Sequence, residues 1–295
     1  MLININQSFR FSHATKRAYE LALWATWGIA YSFSAQAESI GTSSPGGIYV
    51  WEIPTKATEI RFGNRPVFTV NGKAIIGVPI SQEPGEAAID FRLENLSKKE
   101  IFRIKKKSYT EQRITLADTK MVSPPVKELE RIRKESAAQK AVYASFTPEI
   151  DLSLGFIMPL EGRKTSLYGH RRFFNDVPRS PHSGLDIAAP TGTPIVAPGP
   201  GRVALRGDFY FNGKTILLDH GQGLITMYCH MSEILVTNGN AVQQGHQIGL
   251  VGSTGRATGP HLHWSVSLNG FRVDPYILIE NLNTIVGAGD VSYGG

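Results

Sequence analysis

The C-terminal half of the chain consists of short apolar stretches separated by Gly, Pro and Asn, with no amphipathic helix of useful length between residues 160 and 275. Asn212-Gly213 separates residues 203–211 from residues 214–219, and this dipeptide between apolar stretches is a strong hairpin signal. Such a chain cannot form packed helical layers. We therefore predict an all-β domain over residues 151–283, with antiparallel strands and a groove, followed by a flexible Gly-rich tail at 284–295.

Residues 38–120 carry a second set of strand signals. Asn71-Gly72 lies between residues 66–70 and 73–80, which predicts another hairpin. Apolar and polar residues alternate over residues 88–93, as is typical of a half-buried antiparallel strand. We predict a small β-sandwich-like domain here.

Residues 121–150 are predicted to connect the two β domains. Apolar residues repeat at helical spacing from Val126, Ser123 is placed to cap the helix, and the pattern runs to about Tyr143. The predicted fold class is therefore mainly β, with a small N-terminal sandwich, a connector helix and a C-terminal β-sheet domain.

The first 37 residues have the order of a secretory signal. Basic residues precede an apolar stretch at 21–33, and Ala35-Gln36-Ala37 then provides a small-x-small cleavage pattern. An uncleaved anchor is the alternative, and no other segment has the apolar length needed to span a bilayer. We predict export to the periplasm or cell envelope, with no membrane span in the mature chain.

Composition limits the partners and the means of stabilisation. The formal net charge of +6 suits an anionic surface or polymer without identifying one, and we predict no nucleic acid partner. Cys229 is the one cysteine, so an exported product would have no internal disulfide. Core packing, with or without a metal, must then stabilise the fold.

Histidines cluster in the C-terminal domain. Apart from His13, all of them lie between residues 170 and 263, and neutral imidazole is both a common metal ligand and a common general base. The clustered histidines are His170, His182, His220, His230, His246, His261 and His263.

Two of these histidines are one residue apart on a predicted strand. Side chains alternate along a strand, so His261 and His263 point to one face, roughly 7 Å apart, while Leu262 and Trp264 point to the core. One imidazole could bind a metal while its neighbour reaches a substrate.

The stretch "PHSGLD" adds a carboxylate. In an extended segment His182 and Asp186 have the same parity, and Gly184 between them would leave space for a metal. Two imidazoles and a carboxylate are a usual complement for catalytic zinc with one open position. Alone, the His182–Asp186 pair would more often be a surface hydrogen bond.

The stretch "TMYCHM" contributes a third segment. Alternation predicts that Thr226, Tyr228 and His230 share the groove face, and that Cys229 faces away as a buried small hydrophobe. The three segments together, in one β domain, favour a metal centre.

The segment at 166–275 resembles the lysostaphin-type zinc metallopeptidases, also called LytM-type or LasA-type domains, which cut peptides of bacterial cell walls. The resemblance rests on "SLYGHR", "HSGLDIAAPTGTPIVAPGPGRV", "DHGQGLITMYCHM", "QQGHQIGLVGSTGRATGPHLHWSVSLNG" and "VDP". It implies one Zn²⁺ per chain, held by His182, Asp186 and His263. It also implies that His230 and His261 are catalytic.

Three further residues are candidates for lining the substrate groove. Arg171 matches the family's Phe-Gly-x-Arg stretch, whereas Tyr228 and His220 could equally serve packing and a strand end. His170 and His246 are not expected to be ligands.

The resemblance implies an enzyme that hydrolyses the peptide of peptidoglycan, and we expect it to cut a D-Ala–diaminopimelate cross-link. Glycyl bridges are the alternative substrate. A non-catalytic cell-wall-binding or amidase-activating module and a structural zinc domain are the alternative functions. Cell-wall or division proteins are candidate partners.

Overall fold

The computed structural model describes residues 40–288, so the predicted signal at 1–37 and the residues from 289 onward lie outside the described part. Within it, no helix has both the length and the apolar character needed to cross a membrane. The N-terminal elements are β1 (Thr42–Ser43), β2 (Ile48–Glu52), β3 (Ala57–Phe62), β4 (Arg65–Pro66), β5 (Phe68–Val70), β6 (Lys73–Gly77), β7 (Gly85–Leu93), β8 (Leu96–Ile104), β9 (Glu111–Ile114), a 3₁₀ turn (Thr119–Met121) and helix α1 (Val126–Ala144). The C-terminal elements are β10 (Arg163–Ser166), β11 (Arg171–Phe174), β12 (Val177–Pro178), β13 (Leu185–Ala188), β14 (Pro194–Val196), β15 (Gly201–Phe209), β16 (Gly213–Asp219), β17 (Ile225–Met231), β18 (Glu233–Ile234), β19 (Ala241–Val242), β20 (Gln247–Leu250), β21 (His261–Leu268), β22 (Phe271–Val273) and helix α2 (Pro275–Val286).

The N-terminal strands form two sheets that share a core. One sheet has the order β1-β8-β7-β3-β4 and the other has the order β2-β6-β5. The predicted hairpin at Asn71-Gly72 is confirmed, since both residues have positive φ and join antiparallel β5 and β6. Trp51, Ile76 and Phe102 are buried together between the sheets.

The sheet β2-β6-β5 also contacts the C-terminal core. Its strands alternate, so Ile76 faces the N-terminal core while Ile48, Phe68 and Ile75 pack into the cluster that contains Trp264. One thin sheet is therefore covered by apolar residues on both faces.

The central C-terminal sheet has the order β10-β13-β21-β17-β16-β15-β19, with β22 also paired to β21. These pairings are antiparallel, as predicted. Leu262, Trp264, Val266 and Leu268 all lie in the core, which confirms the parity predicted for β21. The alternate residues of β21 face the other side of the sheet, and all of them are polar.

The helices correct two expectations. Helix α1 is present, but Pro125 occupies its N-cap position with no side-chain cap, so the predicted capping role of Ser123 was wrong. Helix α2 was not predicted and extends to Val286, so the tail does not begin at residue 284. Asp274 accepts a hydrogen bond from the Tyr276 backbone N–H, which satisfies a donor that the helix start would otherwise leave free.

Gly184 serves the pairing of β13 with β21 rather than a metal cavity. A Cβ at this position would lie 2.3 Å from the Trp264 carbonyl oxygen and 2.7 Å from Ser265 Oγ. The space that the sequence suggested for a metal is thus filled by neighbouring backbone. Glycine allows the segment beside His182 to approach β21 closely.

Gly184→Ala is expected to lower the free energy of unfolding by about 1–3 kcal/mol, because the new methyl group must displace the backbone of β21. Denaturant unfolding followed by circular dichroism measures the change. Gly259→Ala is the matched control, since a Cβ there meets no atom within 4 Å. Equal stability of the two variants would contradict the steric argument.

Candidate metal centre and groove

Three side chains converge at the junction of β13 and β21. Asp186 and His263 are directly paired across the two strands, and His182 lies just before β13. His182 Nε2 is 3.0 Å from Asp186 Oδ1 and 3.0 Å from His263 Nδ1. The remaining pair, His263 Nδ1 and Asp186 Oδ1, is 2.7 Å apart. All three side chains are buried.

Backbone contacts determine which nitrogen of His182 is free. Its Nδ1–H donates to the Leu167 carbonyl oxygen at 2.7 Å, and a carbonyl can only accept. Nε2 of the neutral ring therefore presents a lone pair to Asp186 and His263. A carbonyl that fixes the ring tautomer in this way is a common support for a metal-binding histidine.

The donor set fits a zinc ion. Tetrahedral ligands at about 2.0–2.1 Å from zinc lie about 3.3 Å from one another, and the three donor atoms here are 2.7–3.0 Å apart. His263 Nε2 lies 2.9 Å from Ser265 Oγ, which can accept its proton and leave Nδ1 free for the ion. Among residues 40–288, this is the group of His, Cys, Asp and Glu that could hold a metal.

Burial and close contacts favour the metal-binding protonation states of His263 and Asp186. Burial lowers the pKa of His263 to about 4, although Asp186 opposes the shift. Burial would raise the pKa of Asp186, but the close contacts of its Oδ1 with His182 and His263 hold it well below its usual range. Neutral imidazole and ionised carboxylate are the forms that bind metal.

His230 and His261 lie beside this group. Their ring centroids are 4.7 Å apart, and that of His230 is 6.2 Å from that of His263. Each Nδ1–H donates to a backbone carbonyl at 2.8 Å, at Thr254 for His230 and at Gly259 for His261. Nε2 of each neutral ring is consequently free to accept a proton.

A β-bulge positions His230. Two residues of β17, Cys229 and His230, oppose Thr215 alone of β16, and His230 has φ of 65°. Burial, with His261 and His263 adding to it, lowers the pKa of His230 to about 3. The ring is therefore neutral at physiological pH.

The bulge makes the face predicted for β17 wrong. Cys229 is paired with His263, and opposed residues share a face of the sheet. Tyr228 is paired with Trp264 and packs in the core instead. Cys229 is buried as predicted, but on the side of the metal centre, where it packs against Tyr143 of α1.

The structure does not place the three predicted groove residues in the pocket beside the metal centre. Tyr228 and His220 are fully buried, and Thr226 Oγ1 lies 2.8 Å from both the Tyr228 hydroxyl and His220 Nε2. Burial lowers the pKa of His220 to about 4. Arg171 is exposed and pairs with Glu111 at 3.5 Å. Tyr228 was assigned to the wrong face because the bulge interrupts the alternation of side chains along β17. On β11, the side chain that points towards the metal centre belongs to the residue after Arg171.

That residue, Arg172, supports the metal centre. Its Nη2 donates to Asp186 Oδ2 at 2.5 Å, which leaves Oδ1 for the histidine side. Gln112 Oε1 accepts hydrogen bonds from Arg172 Nε at 3.1 Å and from Ser166 Oγ at 2.9 Å. Gln112 belongs to β9, which pairs in parallel with β11. Sequence reasoning missed these residues, because Arg172 is separated from Gln112 by the whole connector.

A pocket of about 450 Å³ opens beside the metal centre. It is lined by His182, His230 and His263, by the α1 residue Gln139, and by several arginines and aromatic residues. The arginines are Arg172, Arg179, Arg256 and Arg272. The pocket therefore combines a metal-binding set, free imidazole nitrogens and a strongly cationic wall.

Comparison with known proteins identifies the family. Residues 180–275 match Peptidase family M23. A crystal structure of an M23 peptidase from Pseudomonas aeruginosa superimposes with a TM-score of 0.65 at 38% identity, covering 83% of this chain and 96% of that one. This chain belongs to Peptidase family M23. Because the match to the Pseudomonas structure covers most of both chains, the likeness of this M23 protein extends well beyond residues 180–275.

Curated relatives of this M23 protein match over a shorter length. Peptidoglycan DD-endopeptidase ShyA of Vibrio cholerae is 43% identical over 91 residues, which cover 31% of this chain and 21% of the relative. DD-carboxypeptidase/endopeptidase Mpg of Neisseria meningitidis is 44% identical over 94 residues, or 32% and 22%. The chain thus matches about a fifth of the length of these relatives.

Proposed function

We propose that this M23 protein is a zinc-dependent endopeptidase that hydrolyses peptide cross-links of peptidoglycan, at the D-Ala–diaminopimelate bond. The observation that carries the proposal is the convergence of His182 Nε2, His263 Nδ1 and Asp186 Oδ1, with the tautomer of His182 fixed by a carbonyl. Family membership and two relatives named as peptidoglycan or DD-peptide hydrolases support it.

His182, Asp186 and His263 would hold the ion. A zinc ion bound there supplies Lewis acidity and a water whose pKa is lowered towards about 7. His230 and His261 carry out the proton transfers: one Nε2 accepts the proton of the attacking water, and an imidazolium N–H donates to the oxyanion or to the leaving amine. The carbonyls of Thr254 and Gly259 hold both rings in the required tautomer.

The number of protein donors favours a catalytic over a structural ion. A structural zinc site normally has four protein ligands, whereas a catalytic site has three and an open position. Within the described residues the group contains three. The intact set also favours an enzyme over a non-catalytic binding module.

The remaining sequence predictions complete the proposal. The chain is exported and acts in the periplasm or cell envelope, because its proposed substrate lies outside the cytoplasm. Residues 151–286 are the catalytic part, 121–150 a connector and 38–120 an accessory β domain whose last strand, β9, pairs with β11 of the catalytic part. Cell-wall or division proteins are its proposed partners.

Purified residues 38–295 are expected to release monomeric muropeptides from cross-linked peptidoglycan. A chelator should abolish the release and added zinc should restore it, because the attacking water is bound and activated by the ion that the three donors hold. Liquid chromatography with mass spectrometry identifies the bond that is cut. Chelator-resistant cleavage would contradict the zinc mechanism, and sedimentation with peptidoglycan without cleavage would indicate a binding module.

A further inference from the structure

The pocket wall carries more arginines than the metal centre needs for its ion pair with Asp186. Arg172 is paired with Asp186, but among residues 40–288 no carboxylate oxygen lies within 4.0 Å of the guanidinium groups of Arg179, Arg256 or Arg272. A pocket lined by unpaired guanidinium groups favours an anionic ligand.

Arg256 is held in place by aromatic rings. Its guanidinium carbon lies 4.5 Å from the centroids of both Phe174 and Phe211. Stacking occupies the faces of the guanidinium and leaves its N–H edge available, and that edge makes one long hydrogen bond, of 3.4 Å, to the Met121 carbonyl. Burial, with the nearby Arg172 and Arg179, lowers the pKa of Arg256 to about 10, so the group stays charged at neutral pH.

Arg179 lies on the same pocket wall, three residues before the proposed ligand His182. Its Nη2 donates to the Val122 carbonyl. Its Nε is buried, with no hydrogen-bond partner in the described part of the chain. A buried unpaired donor is costly, and a ligand that accepts a hydrogen bond there would remove the cost.

We propose that Arg179 and Arg256 form a subsite for a free carboxylate next to the scissile bond. The inference rests on the proposed function and specifies its substrate. In a D-Ala–diaminopimelate cross-link, the scissile nitrogen is attached to a carbon that also bears a carboxylate. A glycyl bridge has no free carboxylate at that position. The arginine pair would therefore select the residue on the leaving-amine side.

The test uses two synthetic muropeptide dimers that differ in one group, the diaminopimelate carboxylate beside the scissile bond, which is either free or amidated. The wild-type protein should cut the free acid with a kcat/KM about 10–100-fold higher, as expected for a charge-assisted hydrogen bond. Arg179→Gln and Arg256→Gln should each reduce this ratio to near one, mainly by lowering cleavage of the acid. Arg256→Lys should retain part of the ratio, because it keeps the charge but not the planar fork.

Arg92→Gln, at a surface site away from the pocket, is the matched control and should keep the wild-type ratio. Zinc content and melting temperature establish that each variant is folded and loaded. An unchanged acid-to-amide ratio in both glutamine variants would overturn the subsite.

Calorimetric titration with the two monomeric product peptides separates the subsite from the proposed function. If the wild-type protein cuts neither dimer, the proposed endopeptidase activity fails. Tighter binding of the acid product, lost in Arg179→Gln, then still supports the subsite. Equal binding of the acid and amide products would refute it.

Discussion

His263→Ala is expected to lose bound zinc and peptidoglycan cleavage together. The substitution removes one of three donors, and the remaining atoms, on His182 and Asp186, cannot hold the ion at three points. Loss of a residue that merely orients a ligand costs about 10–100-fold in metal affinity, so direct loss of a ligand should cost at least about 100-fold. Zinc content after dialysis and competition with a chromogenic chelator measure the effect.

His246→Ala is the matched control for this variant. His246 is exposed in a turn and lies outside the metal group, so its removal should change neither zinc content nor activity. Normal cleavage by a metal-free His263→Ala protein would contradict the catalytic role of the ion. It would support instead a fold in which the ion only stabilises structure.

His261→Ala is expected to retain zinc and to lose turnover by about 10²–10⁴-fold, the contribution typical of general acid–base catalysis. Its Nδ1–H is bound to the Gly259 carbonyl, and its ring neighbours His230 rather than the three ligands. Steady-state cleavage of a defined muropeptide dimer, with zinc content measured on the same sample, tests both parts.

The division between neighbouring histidines fails if His261→Ala loses as much zinc as His263→Ala. It also fails if the zinc-loaded variant retains wild-type turnover. His230→Ala should behave like His261→Ala, since the bulge places its free Nε2 on the same side of the sheet.

The part of the site that lies on regular strand could be predicted from sequence. Alternation along β21 correctly separates His263 from Leu262 and Trp264, because residues 261–264 pair with β13 without a register shift. Asp186 lies on regular strand too, whereas His182 precedes β13 and is brought to Asp186 by an extended segment. Each of these inferences depends only on local periodicity.

Alternation failed where the backbone departs from it. The bulge in β17 places His230 and Tyr228 on different faces of the sheet. No glycine lies between Thr226 and Met231, so the sequence does not indicate the positive φ of His230. Gly184 correctly indicated a crowded position, but the sequence suggested a metal as the close neighbour, and the neighbour is the Trp264 carbonyl. Local sequence does not reveal which backbone will approach from another strand.

Long-range contacts were beyond sequence reasoning for a different reason. Arg179 and Arg256 meet through folding of the whole domain, and Gln112 reaches Arg172 from another part of the chain. Helix α2 was missed because its apolar residues, Leu278, Ile279 and Leu282, follow directly on a strand. For the arginines and for Gln112 the informative partner is distant in sequence, whereas for α2 the adjoining strand obscures the helical pattern.

The parallel pairing of β9 with β11 has a consequence for how the chain can be divided. A fragment that begins at residue 151 would keep all three donors of the metal centre. It would nevertheless lose Gln112 and leave one side of β11 without its hydrogen-bonding neighbour. An open strand edge is a template for pairing with other chains. The smallest well-behaved form of this protein therefore begins before Glu111, upstream of the segment that carries the family motifs.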